Sequence, residues 1–307
     1  MSSFGKSIRV YLADGSPTGI RHAELVNWTG QAIVCPRGRI KELADWPESQ
    51  RPGIYMLFGE GPTPNQPTLY IGEAEHVLIR LRSHVKNKDF WSQVVFFTSK
   101  DENLTKAHVK YLEARLIELA VAAGRAALEN NTAPTLPALP RPDRDAMEDF
   151  LQPLRILLGT LGFPVLQAIT GQAKHATTQT DQKPSELSTL RLFLRRPKMK
   201  IDAQGCATDE GFIVYEGSVG TQALKKHLSA GYTAMREQLL EAGSLTKRDD
   251  GTITFAKDVL FGSPSAAAAV LFGGAINGRE AWRDGENRTL KDIEEELAGS
   301  SSATSSE

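Results

Sequence analysis

The chain has 307 residues, 40% hydrophobic and 24% charged, which are ordinary proportions for a globular protein, and the length predicts two domains or one with large additions. A formal net charge of -1 gives no hint of nucleic acid or membrane from composition alone. Two distant cysteines, Cys35 and Cys206, exclude a disulfide framework or a zinc cluster and fit a reducing cytoplasm; no apolar run approaches a membrane span, and the start lacks a signal-peptide core.

Residues 1–48 read as a β-rich appendage: SIRVYLADG alternates, HAELVNWTGQAIVCP holds two strands around Thr29-Gly30, and GRIKELADW follows as a short helix. GIYMLFG and LYIGE then form a hairpin with a long proline-rich loop. EHVLIRLRSHVKNK is a helix, QVVFFTS a strand, and Thr105 to Glu129 a long amphipathic helix for which Asp101 or Asn103 is the expected cap. DRDAMEDFLQPLRILLGTLG is a further helix, with Pro153 expected to kink or restart it. Residues 171–189 lose periodicity and read as a flexible linker, residues 190–297 as a second α+β unit, and 298–307 as a disordered tail.

The chemistry-bearing stretch is RPGIYMLFGEGPTPNQPTLYIGEAEHVLIRLRSH, residues 51–84. Strand alternation puts Ile54, Met56 and Phe58 on one face and Tyr55 on the other; in the next strand Tyr70 and Gly72 oppose Leu69 and Ile71. Both phenols therefore share a surface, and Gly72 has no side chain to block a ligand between them. Arg80 and His84, one helical turn apart, add a guanidinium and an imidazole. Arginine holds phosphate oxygens through two parallel bonds, and a phenol beside a cation can accept or relay a proton. Glu113, beside Leu112 and Leu116 of the long helix, places a carboxylate at the core edge, where it could hold magnesium with waters and a substrate phosphate. Outside such a constellation, a strand tyrosine is a packing residue and a helix glutamate a solvated one.

GIY at 53–55, YIG at 70–72, Arg80, His84, Glu113 and a later asparagine resemble the signature of the GIY-YIG nucleases, over roughly residues 50–135. That resemblance implies a small α+β domain, a three-stranded antiparallel sheet flanked by helices, within residues 49–170. It implies a cytoplasmic, bacterial endonuclease that hydrolyses DNA with one divalent ion, Mg2+ or Mn2+. Tyr55 would be the base or its relay, Tyr70 would position water and substrate, Arg80 would stabilise the pentacovalent phosphate, His84 would tune Tyr55, and Glu113 would hold the metal. Asn130 and Asn131 both fit the site asparagine. Gly72 and Arg82 join the substrate-binding set, as do Arg195 and Arg196 of the basic run RLFLRRPKMK. VNWTGQAIVCPRGRIKEL is similar to the leader of one bacterial subset. FGSPSAAAAVLFGGAINGREAWRD resembles a C-terminal domain of unknown function found behind such nucleases, and also RAMA-type domains, but Arg279 stands where the latter have Trp. The rival expectation is a non-catalytic nucleic-acid-binding or partner-docking protein that keeps the fold.

Overall fold

The computed structural model describes residues 4–63, 66–130, 134–167, 186–225 and 230–300, and the chain divides into two compact units, residues 1–168 and 169–307. Each is an α+β body with its own sheet. No helix among the described residues is long and apolar enough to cross a membrane. The expected linker lies almost wholly outside the described residues; only Glu186–Thr189, a short helical turn, is seen.

The first unit runs β1 (Ile8–Leu12), β2 (Arg21–Leu25), β3 (Gly30–Pro36), two 3-10 stretches (Arg37–Asp45 and Pro47–Gln50), β4 (Gly53–Thr63), β5 (Gln66–Ala74), α1 (Val77–Asn87), β6 (Trp91–Ser99), α2 (Lys106–Ala123), β7 (Ala127–Leu128) and α3 (Arg141–Thr160). Its sheet has seven strands in the order β1-β2-β3-β6-β4-β5-β7, antiparallel except where β7 joins β5. The expected three-stranded sheet is thus its β6-β4-β5 part, and the expected appendage is not separate. β3 pairs along its whole length with β6, from Gly30↔Ser99 to Pro36↔Gln93. Between β3 and β4, β6 is an interior strand with helical elements packed on both faces, which is why VVFF is apolar without alternation: Val94, Val95, Phe96 and Phe97 are all fully buried.

One sheet face carries Ile54, Met56, Leu69, Ile71, Val95 and Phe97 against Val109, Leu112 and Leu116 of α2 and Leu154 and Leu157 of α3. The other carries Tyr55, Leu57, Val94 and Phe96 against Val77, Leu78 and Leu81 of α1 and Ile40 and Leu43 of the first 3-10 stretch. Neither Asp101 nor Asn103 caps α2. Thr105 does: its hydroxyl accepts the His108 N–H, and the Thr105 N–H donates to His108 Nδ1, both at 3.3 Å, closing a capping box with histidine in the place of Glu or Gln. α2 stops at Gly124, which takes the left-handed conformation (φ 64°) that lets glycine end a helix. Pro153 does not divide α3; the buried stripe Met147, Phe150, Leu151, Leu154, Leu157 and Leu158 packs on both sides of it and holds one helix through the lost bond.

The second unit runs α4 (Glu186–Thr189), β8 (Leu192–Arg196), β9 (Ile201–Thr208), β10 (Gly211–Val214), β11 (Val219–Thr221), α5 (Ala230–Glu241), β12 (Leu245–Lys247), β13 (Thr252–Phe255), β14 (Val259–Phe261), α6 (Pro264–Phe272), α7 (Gly278–Ala281) and α8 (Leu290–Ser300). The sheet order is β12-β13-β11-β9-β10-β14, with β8 also on β9. GTITFAKDVLF forms two strands, β13 and β14, and the segment 298–300, read as tail, belongs to α8.

The motif SPSAAAAVLFGGAINGREAW is explained by packing. Ser263 caps α6 by accepting the Ala266 N–H, the Ser265 hydroxyl accepts the Gly278 N–H, and the Trp282 indole donates to the Pro264 carbonyl at 3.1 Å. A Cβ on Gly278 would overlap the backbone of Pro264 and Ser265, so only glycine lets α7 lie this close to α6. Trp282 is wholly buried against Phe212, while Arg279 is exposed and ion-paired with Glu294 at 2.5 Å. In this unit the tryptophan is a core anchor and offers no aromatic surface to a ligand.

Candidate active site

Tyr55 and Gly72 are direct partners in the β4–β5 ladder, and the Tyr55 ring lies over the glycine. A Cβ at 72 would overlap the phenol oxygen. The open space expected for a ligand is therefore filled by the protein's own tyrosine. Both phenols do share one sheet face, as alternation requires, but α1 and the 3-10 stretch cover that face, leaving Tyr55 fully buried and Tyr70 half-buried.

α1 crosses this face so that residues 80 and 84, one turn apart, reach the same phenol. Tyr55 Oη lies 2.7 Å from His84 Nε2 and 3.3 Å from Arg80 Nε. Arginine can only donate, so the Tyr55 hydroxyl accepts from Arg80, and its own O–H is available to a neutral His84 Nε2. Electrostatics agree. Burial, joined by the charges of Arg80 and Lys88, pushes the His84 imidazole down to about 4, so it is neutral and able to accept at neutral pH. Burial raises the Tyr55 phenol above its usual range, against the opposing pull of Arg80, so it rests protonated.

Tyr70 completes an aromatic triangle, with ring centroids 6.2 Å from Tyr55 and 5.4 Å from His84. The Lys88 ammonium sits 4.2 Å above the Tyr70 ring. Lys88 stands at the end of α1, where spacing carries no signal, and its contact with Tyr70 needs the β5–α1 packing.

Glu113 reaches the cluster from the other side of the sheet, on α2, beside the end of β5. Burial, then the nearby Glu73 charge, raises its carboxyl above the usual range, while the Glu73 backbone N–H and the Arg80 guanidinium pull the opposite way. Arg80 thus bonds the phenol and its charge also acts on the carboxylate. Glu73 was not singled out from sequence, although its position after Tyr70-Ile71-Gly72 puts it on the α2 face of β5 by alternation. Two carboxylates with no other protein ligand would suit a hard divalent ion that keeps water and substrate oxygens in its shell. No group of three or more His, Cys, Asp or Glu suited to a metal gathers among the described residues.

The remaining candidates do not converge. Asn130 is committed to the backbone: its Oδ1 accepts the Ile71 N–H at 3.0 Å and its Nδ2 donates to the Ile71 carbonyl at 2.8 Å, so it extends the β5–β7 edge as a further strand residue would. Asn131 lies outside the described residues. Arg82 is exposed on α1, half a turn away from the side of Arg80 and His84. Arg195 and Arg196 belong to β8 of the second unit, where Arg195 lies over Phe193 and 3.3 Å from Asp202, and Arg196 donates to the Arg195 carbonyl.

Residues 192–294 match the family described as a domain of unknown function (DUF4357), which accounts for a third of the chain and only for its second unit. No curated protein and no solved structure matches the chain. The C-terminal resemblance read from sequence is thereby shown at the level of that family, while the first unit rests on its own residues.

Proposed function

We propose that the first unit is an endonuclease of the GIY-YIG type, hydrolysing phosphodiester bonds of DNA with one divalent ion, Mg2+ or Mn2+. The observation that carries this reading is the hydrogen-bonded run Arg80–Tyr55–His84, with the half-buried Glu113 near enough to feel the Arg80 charge. A buried phenol packed for stability alone would not need an arginine and a neutral histidine on its one oxygen.

In this reading a DNA phosphate draws the Arg80 guanidinium off the phenol and onto two phosphate oxygens. The Tyr55 oxygen, thus freed, accepts a proton from the attacking water while its own proton passes to His84 Nε2, so the phenol stays neutral and His84 becomes imidazolium. Because the Arg80 charge is one cause of the depressed His84 basicity, its neutralisation by phosphate raises that basicity when the proton arrives. Arg80 then stabilises the extra negative charge on the pentacovalent phosphorus. Glu113, with Glu73 beside it, would hold the ion, which when bound supplies charge neutralisation at the leaving oxygen.

The test is incubation of supercoiled plasmid with the full chain and Mg2+ or Mn2+. Nicking or linearisation by wild type is expected, with none from Arg80→Ala and a loss of roughly a hundredfold or more from Tyr55→Phe, the scale of a lost general base. Binding without cutting would overturn the catalytic reading in favour of a nucleic-acid-binding protein.

A further inference from the structure

We infer that β1 is a dimerisation strand, pairing antiparallel with β1 of a second copy of this chain about a two-fold axis at Val10. The inference rests on the edge itself and is independent of the proposed chemistry. β1 ends the sheet, and among the described residues nothing pairs with its outer side. Which groups face outward follows from its inner ladder. The Val26 N–H donates to the Ser7 carbonyl and the Ala13 N–H to the Ile20 carbonyl, at 3.0 and 3.1 Å, flanking the register Arg9↔Glu24 and Tyr11↔His22. Bonded pairs alternate in an antiparallel ladder, so the odd-numbered residues 7, 9, 11 and 13 bond inward. The N–H and C=O groups of Ile8, Val10 and Leu12 therefore point out.

These three residues are self-complementary about Val10: Val10 exchanges two bonds with its symmetry mate, and Ile8 exchanges two with Leu12 of the other copy at each end. Charge selects the same arrangement. The strand has a basic start (Lys6, Arg9) and an acidic end (Asp14, whose carboxylate also takes Arg39), so antiparallel pairing brings Lys6 of each copy toward Asp14 of the other and sets Arg9 opposite Tyr11. A parallel pair, or an axis at Arg9, would oppose like charges.

The edge is short and carries the exposed Arg9, but the stronger protections are missing. It has no proline and no bulge, and the Arg9 guanidinium is already drawn to Glu24 at 3.6 Å. Of the eight large hydrophobic side chains exposed among the described residues, Phe4, Val10, Tyr11 and Val26 lie at this corner, so the exposed apolar surface is concentrated where a partner strand would cover it.

The experiment is sedimentation equilibrium or light scattering on the full chain over a concentration series. A dimer is expected for wild type. Val10→Pro removes an N–H that makes no bond within the copy, so the fold should persist by circular dichroism while dimer Kd rises roughly tenfold or more through the lost axial bonds. Val10→Lys, which keeps the N–H but opposes two charges at the axis, should weaken the dimer as well. A wild-type monomer throughout, or a dimer that both variants leave at its parental Kd, would overturn the proposal.

Discussion

At the scale of single residues, the first unit keeps ionisable groups where burial disfavours their charge. His84 is held neutral, with its basicity moved from 6.5 down to about 4. An unfolded chain takes up a proton at the ordinary histidine value, and the folded protein refuses it until much lower pH. The stabilising contribution of neutral His84 is thus complete above about 6.5, falls as the pH drops toward about 4, and is flat below. Denaturant unfolding at pH 7 and pH 5 should show that His84→Gln loses less stability over this window than wild type; equal losses would remove His84 as a source of the pH dependence. Glu113 has the opposite sign. Its carboxyl is raised by burial and by Glu73, so ionised Glu113 destabilises the metal-free fold at neutral pH. Glu113→Gln should therefore unfold at a higher temperature than wild type without metal, and under the proposed function Mn2+ should stabilise wild type but not this variant. A calorimetric scan with and without Mn2+ reads both effects.

At the scale of elements, one side chain substitutes for missing backbone. β7 has only two residues, and beyond Leu128 it is Asn130 that meets both the N–H and the C=O of Ile71. Ile71 is fully buried, so truncating the amide leaves two backbone groups without partners. Asn130→Ala should cost about 1–2 kcal/mol of unfolding free energy, and hydrogen exchange at the Ile71 amide should accelerate. A loss of cutting with stability intact would instead return Asn130 to the substrate-binding set. The same element scale explains Gly72: across from Tyr55 in the ladder, it is the position at which any side chain would displace the phenol from His84 and Arg80.

At the scale of the whole molecule, the chain is built as two bodies with separate cores. The first has an apolar layer on each face of its sheet, and the second is centred on Phe212, Phe255, Phe261 and Trp282. A chain ending at residue 168 should consequently fold alone, unfold in one cooperative transition and retain metal-dependent cutting, since every group of the relay lies between Tyr55 and Glu113. Having lost Arg191, Arg195, Arg196, Lys198 and Lys200, it should bind DNA with a shallower salt dependence than the full chain. An unchanged slope would show that the DUF4357 unit does not touch nucleic acid.

Local pattern was enough to determine two features of this protein. Alternation alone put Tyr55 and Tyr70 on a common face, and turn spacing alone paired Arg80 with His84. Each of these depends on neighbours a few residues away, where the 2.0 and 3.6 periodicities hold. What needed the tertiary structure was everything set by long-range packing. The N-terminal strands join the sheet because β3 finds β6, some sixty residues later in the chain. That ladder, with α1 laid over it, buries the phenol that alternation had left facing outward. Burial then keeps the Tyr55 phenol protonated and the His84 imidazole neutral, and packing brings Glu73 near Glu113. Desolvation is a property of what surrounds a group in space, and no spacing along the chain encodes it.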